Sequence, residues 1–275
     1  MIPLDLLIFV AALAAGVFGA LVGMGGGLIL VPLLTIALGV DIKAAIAVSL
    51  LGVIAVSATA SASFLRAGVT DRRLGLTLLL ATAIGGIGGG FMAGLLDATL
   101  LSGIFGVVLA LVALQMLRSR SAVAPEVPVS ELGRLEFDAA YFEPLTGRVR
   151  DYRVRRIGLG SLLSVFGGAL SGLLGIGGGV VNVPTMTVLM GVPIRVATTT
   201  STYMLGATAA ASAVIHYSRG DIDPILAAPV VVGVTVGALA GARLSARTPP
   251  RTLLLVFVVV AAFFAVQMMW RAVGG

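Results

Sequence analysis

Two glycine runs, each followed by a proline, carry the residues whose spacing could do chemistry. Gly25–Gly27 precede Pro32, and Gly177–Gly179 precede Pro184. The first N–H groups of a helix lack backbone partners and carry a partial positive charge, and glycine lets a ligand approach the backbone closely. A helix that begins at such a run can therefore bind an anion without a buried lysine. A nucleotide phosphate loop is disfavoured, because no Lys-Ser/Thr pair follows either run.

Hydroxyl and amide side chains near the glycine runs could add hydrogen-bond donors for an oxyanion. A cation site at the membrane midplane usually contains a carboxylate, and none of the apolar stretches carries one in its interior. A single serine or threonine often only bonds back to its own helix, which is the competing interpretation for each hydroxyl. We expect a small anionic substrate. The predicted substrate-binding residues are Gly25, Gly26, Gly27, Ser49, Gly177, Gly178, Gly179, Asn182, Thr200 and Ser201.

Three charged or titratable residues are further candidates. Lys43 and Arg195 occupy equivalent positions in the two halves of the chain and could attract anions at two opposite mouths, or merely anchor helices at the interface. His216 is the only histidine and could couple transport to protons, although an interfacial histidine without function is the simpler alternative. With no cysteine and no buried carboxylate, we predict no catalytic residue, no metal and no cofactor.

The elements that must position these residues form an internal repeat. Shifting the chain by 152 positions superposes the two glycine runs. The same register matches four other residue types: Pro32 with Pro184, Ser49 with Ser201, Asp71 with Asp223 and Gln115 with Gln267. We predict a first transmembrane repeat over 1–118, a polar linker over 119–156 and a second transmembrane repeat over 157–275.

The amino-acid composition indicates a protein that is embedded in a membrane. Hydrophobic residues make up 59% of the 275 residues, charged residues only 11%, and the mean hydropathy is +1.13. Soluble domains carry about 25% charged residues, so lipid must cover part of this surface. Apolar stretches of helical length predict an all-α integral membrane protein. The first stretch lacks a basic leader and is expected to be retained. The predicted segments are 4–22, 27–40, 44–65, 74–96 and 98–117, then 157–175, 179–192, 196–218, 224–243 and 252–270.

The second segment of each half is too short to cross a bilayer. Fourteen helical residues rise only about 21 Å, against about 30 Å of hydrocarbon. Each such segment starts at a glycine run and contains a proline, so we predict a half-helix or the second arm of a re-entrant hairpin. Whether 4–22 and 27–40 both cross, or form that hairpin, stays open. The polar linker could include a small ordered hairpin or be a solvated connection.

The distribution of basic residues predicts the orientation. With the N-terminus outside, fifteen of the 18 Lys and Arg residues fall inside, and only Lys43, Arg219 and Arg271 fall outside. The two repeats are then inverted, both termini are outside, and the 119–156 loop is inside. A parallel repeat is the alternative, but it separates the charges less cleanly. The net charge of +6 follows from this rule and does not indicate a nucleic-acid partner. The oligomeric state is open, and a homodimer is one assembly that the sequence allows.

The same motifs resemble the sulfite exporter TauE/SafE family of membrane permeases. The second half reads "GGALSGLLGIGGGVVNVP", "VATTTS" and "GDID", and the first half reads "GVFGALVGMGGGLILVP", "IAVS" and "GVTD". The first half departs from the family pattern, because Val48-Ser49 stands where Thr-Ser is expected. The resemblance covers nearly all of the chain except 119–156. It implies transport of a sulfur-containing oxyanion such as sulfite, a sulfonate or thiosulfate.

Together these observations predict a secondary transporter of the cytoplasmic membrane that works by alternating access. A small oxyanion would bind near the midplane, between the two glycine breaks, and one repeat would rock against the other. A passive anion channel on the same fold is the first alternative. A non-catalytic membrane assembly subunit is the second, and a membrane-embedded enzyme is disfavoured by the missing nucleophile and acid–base pair.

Overall fold

The computed structural model describes residues 4–22, 25–118, 139–143, 148–245 and 250–274. In these ranges the chain forms ten α-helices and one antiparallel β-hairpin. The first half contains α1 (Leu4–Val22), α2 (Gly27–Pro32), α3 (Ile42–Arg66), α4 (Arg72–Leu95) and α5 (Ala98–Arg118). The linker contains β1 (Ala139–Glu143) and β2 (Arg148–Tyr152). The second half contains α6 (Ile157–Leu174), α7 (Gly179–Pro184), α8 (Ile194–Ser218), α9 (Pro224–Ser245) and α10 (Pro250–Gly274).

The described helices have the length and surface of a multi-pass membrane protein. Five of them, α3, α4, α5, α6 and α9, are long and apolar enough to cross a bilayer. Large apolar side chains point outward from α4 and α6, where Leu80, Ile84, Leu162 and Phe166 are each more than half exposed. Such a surface is stable only against lipid. The prediction of an all-α membrane protein is therefore confirmed.

The second helix of each half is short and changes geometry at its proline. Pro32 ends α2 and Pro184 ends α7, and each is followed by a π-helical segment, Leu33–Ala37 or Thr185–Leu189. Proline lacks an N–H and its ring clashes with the carbonyl four residues earlier, which favours a wider turn. Each short helix, taken together with the π-helical segment that follows it, ends slightly before the boundary predicted from the sequence. The reason is a glycine with positive φ that follows it, Gly39 at 66° or Gly191 at 75°.

The two halves pack across one another. Helix α1 lies along α9, and α6 lies along α4, while α3 packs on α8 and α5 on α10. Because the 152-residue shift relates α1 to α6 and α9 to α4, the first two contacts are equivalent. Glycines bring these helices close. A Cβ at Gly16 would lie 2.4 Å from the Val234 carbonyl oxygen, and one at Gly168 would lie 2.0 Å from the Thr82 carbonyl oxygen. These glycines serve packing, as small residues do in membrane helix pairs.

The linker hairpin covers the turn between α3 and α4. Tyr141 and Tyr152 are buried in edge-to-face contact, and the Tyr152 hydroxyl donates to the Asp71 carboxylate at 2.8 Å. Asp71 also caps α4 by accepting from the Leu74 N–H at 3.0 Å. Burial, and then the neighbouring Asp71 carboxylate, raise the pKa of Tyr152 above its ordinary value. The ordered hairpin that the sequence allowed is present, while linker residues 119–138 and 144–147 lie outside the described ranges.

Candidate functional site

The first glycine break joins α1 to α2 in a conformation that requires glycine. Gly25 and Gly26 have φ of 82° and 75°, in the left-handed region that other residues avoid. A Cβ at Gly26 would lie 2.6 Å from the Ala15 carbonyl oxygen, and one at Gly25 would contact Val53 at 3.1 Å and Leu205 at 3.2 Å. The break therefore lies between the first helix of its own hairpin and the apolar contact of α3 with α8.

The second glycine break repeats this geometry. Gly177 and Gly178 have φ of 83° and 68°, and a Cβ at Gly178 would lie 2.8 Å from the Gly167 carbonyl oxygen. The Gly178 carbonyl accepts the first helical hydrogen bonds, from the Val181 and Asn182 N–H groups, each at 3.1 Å. In the part of the chain that the structure describes, the N–H groups of 179 and 180 have no acceptor. They are the unpaired donors of a helix start.

The two breaks meet in the core. A Cβ at Gly27 would lie 2.0 Å from the Gly175 carbonyl oxygen and 3.1 Å from the Ile176 Cα, so two backbones are in direct contact. The Ser49 hydroxyl donates to the same Gly175 carbonyl at 2.9 Å and to the Ile46 carbonyl at 2.7 Å. Of the predicted substrate-binding residues, the structure brings the first glycine run and Ser49 against the start of the second break.

The threonines near the start of α8 bond to the turn between α3 and α4 and not to a glycine break. The Thr199 hydroxyl donates to the Val69 carbonyl at 2.6 Å, and the Thr200 hydroxyl oxygen accepts from the Asp71 N–H at 3.0 Å. These bonds tie α8 to the turn that also contacts the linker hairpin. Successive helical residues are about 100° apart, so Thr200 and the fully buried Ser201 cannot present the same face. Other hydroxyls, including that of Thr187, bond back to their own helix, as the competing interpretation expected.

Asn182 lies on the face of α7 that packs against α6. It is 1% exposed, and its Oδ1 is 3.0 Å from the position a Cβ would take at Gly167. Neither Oδ1 nor Nδ2 has a hydrogen-bond partner among the described residues. Sequence reasoning missed Ser164 and Ser171, which are fully buried on α6 and whose hydroxyls are equally without a partner in the described ranges. The sequence does contain one sign of these two serines, because the equivalent positions of the first repeat carry other residue types.

His216 is buried, and each of its ring nitrogens lies close to an oxygen atom. It is 1% exposed; its Nδ1 lies 3.0 Å from the Asp221 carboxylate, and its Nε2 lies 3.1 Å from the Gly172 carbonyl oxygen. The imidazole connects the end of α6, just before the second break, to the loop between α8 and α9.

The two cations predicted at the mouths lie at the starts of equivalent helices. Lys43 is half-buried at the beginning of α3, and its Nζ lies 3.5 Å from the Gly94 carbonyl oxygen. Arg195 is half-buried at the beginning of α8. Two other arginines complete helix ends: Arg219 donates to the carbonyls of Gly90 and Phe91 at 2.7 and 2.8 Å, and Arg271 donates to the Thr35 carbonyl. No group of three or more potential metal ligands occurs among the residues described.

Comparison with known proteins identifies the family. The family described as "Sulfite exporter TauE/SafE" matches residues 8–268, a range that includes both glycine breaks and the linker. The chain belongs to the TauE/SafE family. A protein of Bacillus subtilis (strain 168) named "Probable membrane transporter protein YunE" is 26% identical over 275 residues, which cover 97% of this chain and 98% of that protein. No solved structure matches the chain. As a TauE/SafE protein, the chain is a membrane transporter and not an enzyme.

Proposed function

We propose that this TauE/SafE protein is a secondary transporter that moves a small sulfur-containing oxyanion across the cytoplasmic membrane by alternating access. The family description names sulfite, and sulfonates and thiosulfate are sulfur oxyanions of the same chemical class. The observation that carries the proposal is the contact between the two glycine breaks, where Gly27 meets the Gly175 carbonyl. Broken helices that meet inside the membrane are typical of transporter sites, because irregular backbone is tolerated there only when protein or a ligand-filled cavity surrounds it.

The two repeats are inverted relative to each other in this proposal, with both termini outside and the linker inside. The equivalent contacts α1–α9 and α6–α4 support a two-fold relation between the halves, since exchange of the halves leaves the pattern of helix packing unchanged. The distribution of basic residues favours the inverted form over the parallel one. The hairpin arms Gly27–Ala37 and Gly179–Leu189 are the half-helices. Each covers about 16 Å, roughly half of the hydrocarbon thickness, so arms that enter from opposite faces can meet near the midplane.

The oxyanion would bind where the helix starts present their N–H groups, with further donors from side chains. The unpaired N–H groups of 179 and 180 and the side chain of Asn182 are donors without acceptors among the described residues. Ser49 now donates to the Gly175 carbonyl. In the proposed binding step the two breaks separate, and this hydroxyl turns from the carbonyl to an oxygen of the substrate. Thr200 and Ser201 belong to the helix that lines this region, and Thr200 positions it through Asp71.

The remaining candidates would act at the ends of the pathway. Lys43 and Arg195 would raise the local concentration of anions at the two mouths. His216 would couple the second break to protons, because its two ring nitrogens join Gly172 to Asp221. A homodimer would leave these roles unchanged.

Transport by purified protein in proteoliposomes tests the proposal. Gly178→Ala and Gly39→Ala form a matched pair, because φ is 68° and 66° at the two glycines but only Gly178 has a backbone carbonyl within reach of a new Cβ. We expect Gly39→Ala to retain uptake of sulfite-class anions and Gly178→Ala to lose it. Equal uptake by the two folded variants would contradict a site at the second break.

Counterflow separates a carrier from a channel. A carrier with alternating access should take up labelled anion faster when unlabelled anion is present on the opposite side. Uptake that does not saturate and shows no acceleration by the opposite pool would contradict alternating access and favour the passive channel.

A further inference from the structure

One face of α6 runs along the short arm of its hairpin and carries two serines. Gly160, Ser164, Gly167 and Ser171 recur at spacings of four, three and four residues, which places them on the same side of a helix. A Cβ at Gly160 would lie 2.6 Å from the Met190 sulfur, one at Gly167 would lie 3.0 Å from Asn182 Oδ1, and one at Gly178 would lie 3.5 Å from the Ser171 Cβ. Ser164 lies between two of these contacts and therefore faces the same arm.

The polar atoms on this face are buried and have no hydrogen-bond partner in the described ranges. Ser164 and Ser171 are 0% exposed and Asn182 is 1% exposed. Their four polar side-chain atoms, the two hydroxyl oxygens with Oδ1 and Nδ2, accept and donate nothing there. Hydroxyls on membrane helices usually bond to the carbonyl one turn earlier, as Thr187 does at 2.9 Å, but these two serines do not. Buried polar groups without partners cost free energy, so their presence points to a ligand.

The first repeat has no equivalent. The 152-residue shift places Ala12 opposite Ser164, Gly19 opposite Ser171 and Leu30 opposite Asn182. Ala12 and Leu30 are fully buried members of the main hydrophobic core. The backbone geometry at the two breaks is nevertheless alike, since the contact of Gly178 with the Gly167 carbonyl corresponds to that of Gly26 with the Ala15 carbonyl. The same hairpin is thus apolar in one repeat and lined by hydrogen-bonding groups in the other.

We propose that Ser164, Asn182 and Ser171 form a pathway for a small oxyanion, leading from the membrane face that carries β1 and β2 to the second glycine break. This inference rests on the proposed transport function and adds the route to it. Helix α6 begins five residues after β2, and Ser164 lies about 10 Å along the helix from that start. Ser171 lies about 10 Å further, so one three-oxygen anion cannot contact both hydroxyls at once. The side chains are successive binding positions.

The chemistry of this pathway favours an anion over a cation. The two hydroxyls and the Asn182 Nδ2 can donate, the N–H groups of 179 and 180 donate at the end of the route, and none of the three side chains carries a charge. A cation pathway through the membrane would need a carboxylate. Neutral donors bind an oxyanion weakly enough for it to leave again, so the anion can pass from one position to the next.

Cysteine accessibility tests the pathway, because the natural chain has no cysteine. Ser164→Cys, Asn182→Cys and Ser171→Cys each give the full-length protein a single thiol, and Ala12→Cys and Leu30→Cys are the matched controls in the first repeat. The probes are sulfonatoethyl methanethiosulfonate, an anionic sulfonate, and its trimethylammonium counterpart. Each is applied in turn to either face of sealed proteoliposomes. Competition uses ethanesulfonate, which does not consume the probes.

We expect the three thiols of the second repeat to react with the sulfonate probe from the β1–β2 face, about tenfold faster than with the cationic probe and more slowly when ethanesulfonate is present. A factor of about ten is the effect of one hydrogen bond. The control thiols should not react. No reaction from that face, equal reaction of the controls, or equal rates with the two probes would overturn the proposal.

Alanine variants supply an independent readout. Ser164→Ala copies the first repeat, and removing a hydroxyl without a partner should leave the unfolding temperature unchanged or raise it while anion flux falls about tenfold. Unchanged flux would overturn the pathway. If the thiols do not react although the protein transports normally, the route is refuted and the transport function is not. If the thiols react but the protein moves no sulfite-class anion, the proposed transport function is refuted.

Discussion

The contact between the two glycine breaks can be tested with one methyl group at Gly27. This residue has helical backbone angles, so alanine introduces no backbone strain there. Its Cβ would lie 2.0 Å from the Gly175 carbonyl oxygen, whereas contacts below 3.4 Å are already tight. The two hairpins must therefore separate by about 1.4 Å. The displaced atoms are backbone on both sides, and no flexible side chain can yield instead.

The expected cost follows from overpacking. Inserting a methyl group into a well-packed core costs about 1–3 kcal/mol, and a contact between two backbones should lie at the upper end. The separation also moves the Gly175 carbonyl away from the Ser49 hydroxyl, which now donates to it at 2.9 Å. Loss of that hydrogen bond adds about 1 kcal/mol. We expect Gly27→Ala to destabilise the protein by about 4 kcal/mol and to reduce anion transport at least tenfold.

Thermal unfolding in detergent and flux in proteoliposomes measure the two effects. Gly88→Ala is the control, because Gly88 lies within α4 and an added Cβ there has no atom within 4 Å. That variant should unfold at the wild-type temperature or slightly above it, since alanine is the better helix former. If Gly27→Ala matched Gly88→Ala in both measurements, the two breaks would not be in contact.

Two further predictions concern the contacts that surround the breaks. Tyr152→Phe removes the hydroxyl that donates to Asp71, which should weaken docking of the linker hairpin by about 1–3 kcal/mol. The pKa of Tyr152 is raised in the docked hairpin, so this contribution is complete below pH 10 and is lost at higher pH, where the undocked tyrosine ionises. Hydrogen exchange of the β2 amides at increasing pH measures it, and a wild-type response identical to that of Tyr152→Phe would exclude the contact. His216→Phe copies Phe64 of the first repeat and removes both hydrogen bonds of the ring. It should make anion flux insensitive to an imposed proton gradient, and a retained response would place proton coupling elsewhere.

The repeated pattern of the sequence predicted much of the fold, because hydrophobic length and glycine placement act locally. The ends of the short arms were displaced only where Gly39 and Gly191 stop the helix. Partners across the chain could not be predicted. Ser49 is predicted to contact the substrate, and nothing in the sequence indicates that its hydroxyl also donates to the Gly175 carbonyl, 126 residues away. Distances between segments depend on how the hairpins cross, which no local spacing encodes.

Positions where the repeats differ proved more informative than positions where they agree. His216 ends an apolar segment, and no local spacing indicates its two partners, the Asp221 carboxylate and the Gly172 carbonyl oxygen. Ser164 and Ser171 have no local signature at all, since serine is common in membrane helices as a residue that bonds to its own backbone. Comparison with Ala12 and Gly19 of the other half would have selected them.

The packing between the two halves also determines when each helix can meet its partner during synthesis. Helix α6 finds its partner α4 already synthesised, but α1 must wait for α9, which begins about 200 residues after α1 ends. At a synthesis rate of about 5–20 residues per second, this delay is about 10–40 s. During that interval the glycine-bearing side of α1 faces lipid or the insertion machinery instead of Val234. Two contacts that are equivalent in space are therefore far apart in time, and α1 gains its main partner long after it is synthesised.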